Sequence, residues 1–349
     1  MSLMLTDIKN SRDNNFNLLR FLAASLVLFG HSYALSKSHI AQEWLFGHVA
    51  VDIFFIISGY LVTASLFTRK SLWIFTKNRF LRIVPGLFVA MLFNVFIIGV
   101  LYTDIPIGEY LFSPEIYHYI YANTTLLLDH IQMNLPGVFI NNPHANTING
   151  SLWTLPWEVG MYILLFIIGI YALIEKPILN HTMVKKLFIL ISVVGMSIYA
   201  YYLYHHLDVN NSGVRFVAIF FTGGLLWIYK EHILLSNRVF LGMLFIIYFV
   251  FTSSYFLIIY NLLIGYIVLY LAYVPKGLIR TFNKLGDYSY GMYIYAFPIQ
   301  QAYVASYPEI SGLTLFLVSF ITTLFLSVLS WHFIEKPALS LKKGIFKNE

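Results

Sequence analysis

The chain has 349 residues, of which 59% are hydrophobic, 18% aromatic and only 11% charged, with a mean hydropathy of +0.73. Soluble domains carry roughly 25% charged residues, so this composition excludes a soluble domain and indicates an integral membrane protein. Cysteine is absent, which excludes disulfides, thiolate metal sites and an acyl-cysteine intermediate, and the net charge of +6 leaves nucleic acid to be weighed against membrane orientation.

The polar start "MSLMLTDIKNSRDNN" has no signal-peptide cleavage pattern, so the first apolar run is expected to persist as a helix. The apolar runs are about twenty residues long, the length of bilayer-crossing helices rather than of barrel strands. The expected fold class is therefore all-α, polytopic, with about ten transmembrane helices near 15–35, 48–67, 80–102, 151–174, 185–205, 213–230, 237–252, 255–274, 286–306 and 312–334. With the N-terminus cytoplasmic, twenty of the 22 Lys and Arg fall inside, among them Lys9, Arg12, Lys176, Lys343 and Lys347, and only Lys37 and Arg215 fall outside. That asymmetry places both termini in the cytoplasm and accounts for the net charge without nucleic acid. One membrane domain, 1–349, is expected, with no appended soluble domain.

On the first span Arg20 and His31 stand eleven residues apart. This is three turns plus about 20°, so both project from one helix face, about 16 Å apart along it. Ionisable groups inside a membrane normally face a polar interior and mark a pathway or reaction site, with a snorkelling Arg and an interfacial His as the plainer readings. The second span, "HVAVDIFFIISGYLVTASLF", puts Asp52 near its outer end, where His31 is a candidate partner that the carboxylate would orient. Gly59, beside Ser58 and Tyr60, permits close approach of another helix or of a ligand.

The densest basic cluster, "TRKSLWIFTKNRFLRIVPG", sets Arg79 and Arg82 on one helical face at the inner surface. This suits the phosphates of a nucleotide-containing cofactor and equally suits anionic lipid headgroups. Residues 103–150 contain no Lys or Arg, carry Asp104, Glu109, Glu115 and Asp129, and are rich in Tyr, Phe and Asn. So long an outer connection is uncommon without a role of its own. The cluster "EYLFSPEIYHYIY" suits interfacial helices or a platform for sugar rings, and the Asn residues of "NNPHANTING" offer donors and acceptors to hydroxyls. In "NGSLWTLPWEVGMY" Pro156 suits a first helical turn, and Glu158 is either a second acid/base or a structural hydrogen-bonding group. At the last span "SWHFIEKP" leaves Glu335 to pair with the inner basic loops.

Taken together, the Arg-X10-His pair, "VDIFFIISGY", "RFLRIVPG", "SLWTLPWE", "SYGMYIYAFP" and "FIEKP" stand in the order of the membrane acyltransferase family 3, which the chain resembles from about residue 14 to 339. Many members have a His in the "YxxxFP" segment, where Ala296 stands here, so no catalytic role is assigned there. The resemblance implies O-acetylation of a bacterial surface glycan, O-antigen, capsule or similar, in the inner membrane. Acetyl-CoA is the implied donor, and no metal is expected. His31, Asp52 and Glu158 are then the candidate catalytic residues, and Arg20, Arg79 and Arg82 the donor-binding residues. Ser58, Tyr60 and Trp153 are the substrate contacts, with 103–150 as acceptor-binding lid. Either direct attack of a hydroxyl on the thioester, with His31 as base, or a prior acyl-His31 fits. The expected partners are the glycan and membrane lipids, with a partner protein open. A proton-coupled transporter or flippase is the rival class, using Arg20, His31, Asp52 and Glu158 as a path.

Overall fold

Apolar residues in the sequence outnumber what a strand alternation would need, and they coil instead into helices that satisfy their own backbone, the requirement for crossing lipid. The computed structural model describes residues 2–7, 13–38, 40, 43–126, 131–174, 177–205 and 212–342. The charges of Lys9, Arg12, Asp129, Lys176, Lys343 and Lys347 lie outside the described residues. The helices are α1 (Phe16–Leu35), α2 (Glu43–Arg69), α3 (Leu72–Phe93), α4 (Val100–Tyr102), α5 (Ile107–Phe112), α6 (Pro114–Thr125), α7 (Leu155–Ile174), α8 (Pro177–Tyr204), α9 (Ser212–Ile228), α10 (Asn237–Val250), α11 (Phe256–Tyr273), α12 (Phe282–Leu285), α13 (Ser289–Ser306), α14 (Gly312–Ser330) and α15 (Lys336–Ser340). π-Helical turns at Asn94–Gly99 and Trp331–Glu335 carry α3 into α4 and α14 into α15. A small antiparallel pair, β1 (Ser2–Met4) with β2 (Leu234–Ser236), was not foreseen from the sequence.

A helix stands at each of the ten expected segments, and among the described residues seven helices are long and apolar enough to cross a membrane. The chain is an all-α, multi-pass membrane protein. The other three depart for physical reasons. Helices α9 and α10 have only 17 and 14 residues. Helix α13 has 18 but is diluted by Tyr290, Tyr293, Tyr295, Gln300 and Gln301, all buried. A helix wrapped by protein has no need of an apolar surface toward lipid.

The chain divides into two compact units: Met1–Arg20, Val51–Phe75 and Met161–Gly286 form the first, and Phe21–Ala50, Thr76–Gly160 and Asp287–Glu349 the second. In the first, α2 and α9 meet backbone to backbone at glycines. A Cβ on Gly59 would lie 1.9 Å from the Phe220 carbonyl oxygen, and one on Gly223 would lie 2.3 Å from that of Ile56. Gly59 therefore serves helix packing. Because backbone cannot yield as a side-chain tip can, Gly223→Val is expected to cost more than the 1–3 kcal/mol or so typical of overpacking. The check is the yield of monodisperse protein in detergent, which should collapse. The same unit ties the start of α1 to the end of α11. The Asn15 amide donates to the carbonyls of Leu271 and Pro275 at 3.0 Å each, and Arg280 donates to the carbonyls of Pro275, Tyr273 and Asp13 while pairing with the Asp13 carboxylate at 2.7 Å. A cation there meets the free carbonyls of a helix C-terminus.

In the second unit α13 is the buried axis. Gly291 seats against Ser327 of α14, and Gln300 donates to the Leu28 carbonyl and the Ser32 hydroxyl of α1 at 2.7 Å each. Tyrosines of the segment 103–150 plug the π-turn after α3. The Tyr110 hydroxyl donates to the Val95 carbonyl at 3.0 Å, with Gly99 leaving the space it occupies, and the Asn94 amide donates to the Tyr119 hydroxyl at 2.9 Å. Of "EYLFSPEIYHYIY", then, Tyr110 and Tyr119 are structural plugs, while Phe112, Tyr117 and Tyr121 stay exposed.

Candidate active site

Pro298 determines how the segment before α7 is fixed. Lacking an N–H, it cannot bond the carbonyl four residues back, that of Ile294, and a buried carbonyl must be paired elsewhere. The Asn149 amide takes it at 2.9 Å. From there the segment 142–154 follows α13. The Tyr293 hydroxyl donates to the Ser151 carbonyl at 2.6 Å, and a Cβ on Gly150 would lie 2.8 Å from the Phe297 ring. The Gln301 amide donates to the carbonyls of His144 and Thr147 at 2.7 Å each, and the Asn142 amide donates to Gln301 Oε1 at 2.8 Å. The anchors Tyr293, Phe297 and Gln301 recur every four residues, one face of a helix. Asn142 and Asn149 are thus committed to the scaffold, which corrects their reading as partners for sugar hydroxyls. Asn149→Ala should leave the Ile294 carbonyl buried and unpaired, at a cost of about 1–3 kcal/mol. Thermal unfolding in detergent would record it as a lower Tm.

Against that face stands His31. Its ring meets the Phe297 ring edge-on, centroids 5.2 Å apart at 82°, and His144 meets the same ring at 5.9 Å and 72°. Among the described residues the buried Nδ1 of His31 has no hydrogen-bond partner. A buried polar atom of that kind calls for an explanation, and a catalytic role is one. Glu158 lies in the first turn of α7, where Pro156 is the second residue as its chemistry favours, and Trp153 is 38% exposed in the turn before it.

At the other end of α13 the basic cluster resolves into two different residues. Arg82 sends Nη2 to Asp287 Oδ2 at 2.7 Å and Nη1 toward Glu335 Oε2 at 3.7 Å, and its guanidinium lies 5.6 Å from the centre of the Tyr290 ring. Both carboxylates are buried, and each accepts a further bond, Asp287 from the Ser289 hydroxyl at 2.5 Å and Glu335 from the Ser330 hydroxyl at 3.0 Å. The expected pairing of Glu335 with a basic residue is present, with Arg82 of the basic cluster as its partner. Arg82 itself, read from the sequence as a phosphate ligand, has its fork engaged by two carboxylates. Arg79, three residues earlier on α3, is half-buried.

The remaining sequence candidates belong to the first unit. Asp52 is fully buried and faces Arg215 Nε at 3.5 Å, with Tyr199 and Tyr260 within electrostatic reach. The partner expected for Asp52 was His31. A buried carboxylate needs a cation, and α9 supplies it in Arg215, which the charge distribution alone counts with Lys37 among the outside charges. Ser58 shares a hydroxyl contact of 3.0 Å with Tyr162, and Tyr60 packs between Phe16 and Tyr273. Arg20 donates to Asn17 Oδ1 at 2.9 Å, one turn back on α1.

Compared with known proteins, residues 13–332 match the family described as "Acyltransferase domain". The chain belongs to acyltransferase family 3. This acyltransferase is 30% identical over 348 residues to a protein of Shigella phage Sf6 named "O-acetyl transferase", covering 94% of this chain and 97% of that one. It is 26% identical over 371 residues to "Nodulation protein 10" of Rhizobium leguminosarum bv. viciae, covering 95% of each. No solved structure matches it significantly. The second unit brings together an imidazole whose Nδ1 has no partner among the described residues, the fixed segment 142–154 beside it, and Arg79 and Arg82 at the other end of α13. His144, Phe297, Gln301 and Asp287 went unassigned in the sequence. The signal that could have exposed the first three is Pro298, whose missing N–H demands a partner from elsewhere in the chain.

Proposed function

We propose that this acyltransferase moves an acetyl group from cytoplasmic acetyl-CoA to a hydroxyl of an extracytoplasmic glycan, O-antigen, capsule or similar, at the bacterial inner membrane. Ten helices cross that membrane, and both termini are cytoplasmic. The observation that carries the reading is the unbonded, buried Nδ1 of His31 beside the strap 142–154. The name of the phage relative, an O-acetyl transferase, supports the choice of acyl group.

In the reaction His31 takes the proton of the acceptor hydroxyl as its oxygen attacks the thioester carbonyl. The C–S bond breaks, and the CoA thiolate leaves and recovers the proton from His31. Arg79 holds the CoA phosphates, a task to which a guanidinium brings two parallel N–H groups. Arg20 guides the pantetheine arm along α1, Glu158 supports the acceptor, and Trp153 offers an indole face to a sugar ring. Arg82 keeps α3, the helix that carries Arg79, in place through its ion pairs with Asp287 and Glu335.

Inside-out vesicles given acetyl-labelled acetyl-CoA in the outer medium test the sidedness. Label on lumenal polysaccharide, shielded from added esterase until detergent is supplied, is the expected result. Transfer that requires donor in the lumen, or no transfer, overturns the reading.

A further inference from the structure

His31 is not alone at the Phe297 ring. His144 reaches the same ring from the strap, at 5.9 Å and 72°, and unlike His31 it is exposed. The contrast between its backbone and its side chain is informative. The His144 carbonyl is gripped by the Gln301 amide at 2.7 Å, the Thr147 carbonyl three residues on is gripped by the same amide at the same distance, and Asn142 fixes the strap from the other side of His144. Asn146 holds a left-handed φ of 58° and closes a turn onto the Phe139 carbonyl at 3.1 Å. Four residues of strap are thus ordered around an imidazole that none of these bonds uses. The scaffold holds the main chain, and the ring is presented.

We propose that His144 is the acceptor-positioning residue of the reaction assigned to His31: its imidazole hydrogen-bonds the incoming pyranose and holds one hydroxyl toward His31. The inference rests on the transferase reading above. The geometry favours this role over a structural one, because any residue at 144 supplies the carbonyl that Gln301 binds. It also gives a division of labour at one ring. The imidazole with the buried nitrogen takes the proton, and the exposed imidazole, with one donor and one acceptor, meets the sugar.

The test uses the full chain in membranes, acetyl-labelled acetyl-CoA as donor and, as acceptor, the chemically de-O-acetylated surface polysaccharide of the same cells. His144→Ala is expected to raise the acceptor KM by tenfold or more with a smaller change in kcat. His144→Gln, which keeps a donor and an acceptor, should recover part of the loss. An acceptor KM for His144→Ala equal to wild type overturns the inference and leaves the transferase reading standing, as does a fall in kcat alone at unchanged KM. If the wild-type chain places no label on the polysaccharide, both fall together. The elution profile of each variant in detergent separates a binding defect from a folding one: a variant that loses its monodisperse peak as well as its activity would make His144 structural and overturn the assignment.

Discussion

His31→Ala is expected to lower acyl transfer by about 10²–10⁴-fold while the protein still folds and inserts, the range for loss of a positioned general base. The side chain makes little structural contribution. Its Nδ1 is unbonded among the described residues, and its ring contact is one edge-on meeting with Phe297. The helix around it is held independently by the Gln300 bonds to Leu28 and Ser32. His31→Gln keeps a hydrogen-bonding group of similar reach without the ability to take up a proton, and it should be as inactive as the alanine. Labelled acetate transferred per mole of purified, monodisperse protein is the measurement. Activity near wild type in either variant would remove His31 from the chemistry.

The fold class was legible because membrane helices announce themselves by local hydropathy, and each of the ten expected segments is helical. What hydropathy cannot report is which polar residues face one another. Asp52 and His31 both suited an outer level, and nothing in their spacing on separate helices revealed that Arg215, 163 positions along from Asp52, was the cation that a buried carboxylate required. The role of Arg82 was hidden for the same reason, since the carboxylates that engage it, Asp287 and Glu335, come from just before α13 and from the π-turn after α14. The segment 103–150 stands out by its length and composition, and its tyrosines and asparagines read as ligand-binding groups. Asn149, Tyr110 and Tyr119 are consumed by defects elsewhere: the carbonyl freed by Pro298 and the widened turn at Asn94–Gly99. Defects of that kind depend on partners far along the chain, so a single sequence shows the defect without showing what fills it.

Replacement of Arg82 should accordingly act on stability first. Arg82→Ala removes the cation shared by Asp287 and Glu335, which are only 8% and 2% exposed. Leaving a buried charge without its partner typically costs about 3–5 kcal/mol, a large part of the stability of most proteins. The expected outcome is a marked fall in Tm in detergent, or loss of monodisperse protein, before any question of activity arises. Arg82→Lys keeps the charge but offers a single ammonium where the fork reaches two carboxylates, so it should recover only part of the stability. Neutralising one acid as well, in Arg82→Ala with Glu335→Gln, should lose less than the sum of the two single changes, because the charge stranded by the first is removed by the second. Arg79→Ala is expected to weaken acetyl-CoA binding measured by calorimetry. Were Arg82→Ala instead to unfold at the wild-type temperature and lose donor affinity alone, the two carboxylates would not be what Arg82 serves, and the paired phosphate clamp first suggested by the spacing of the two arginines would be restored.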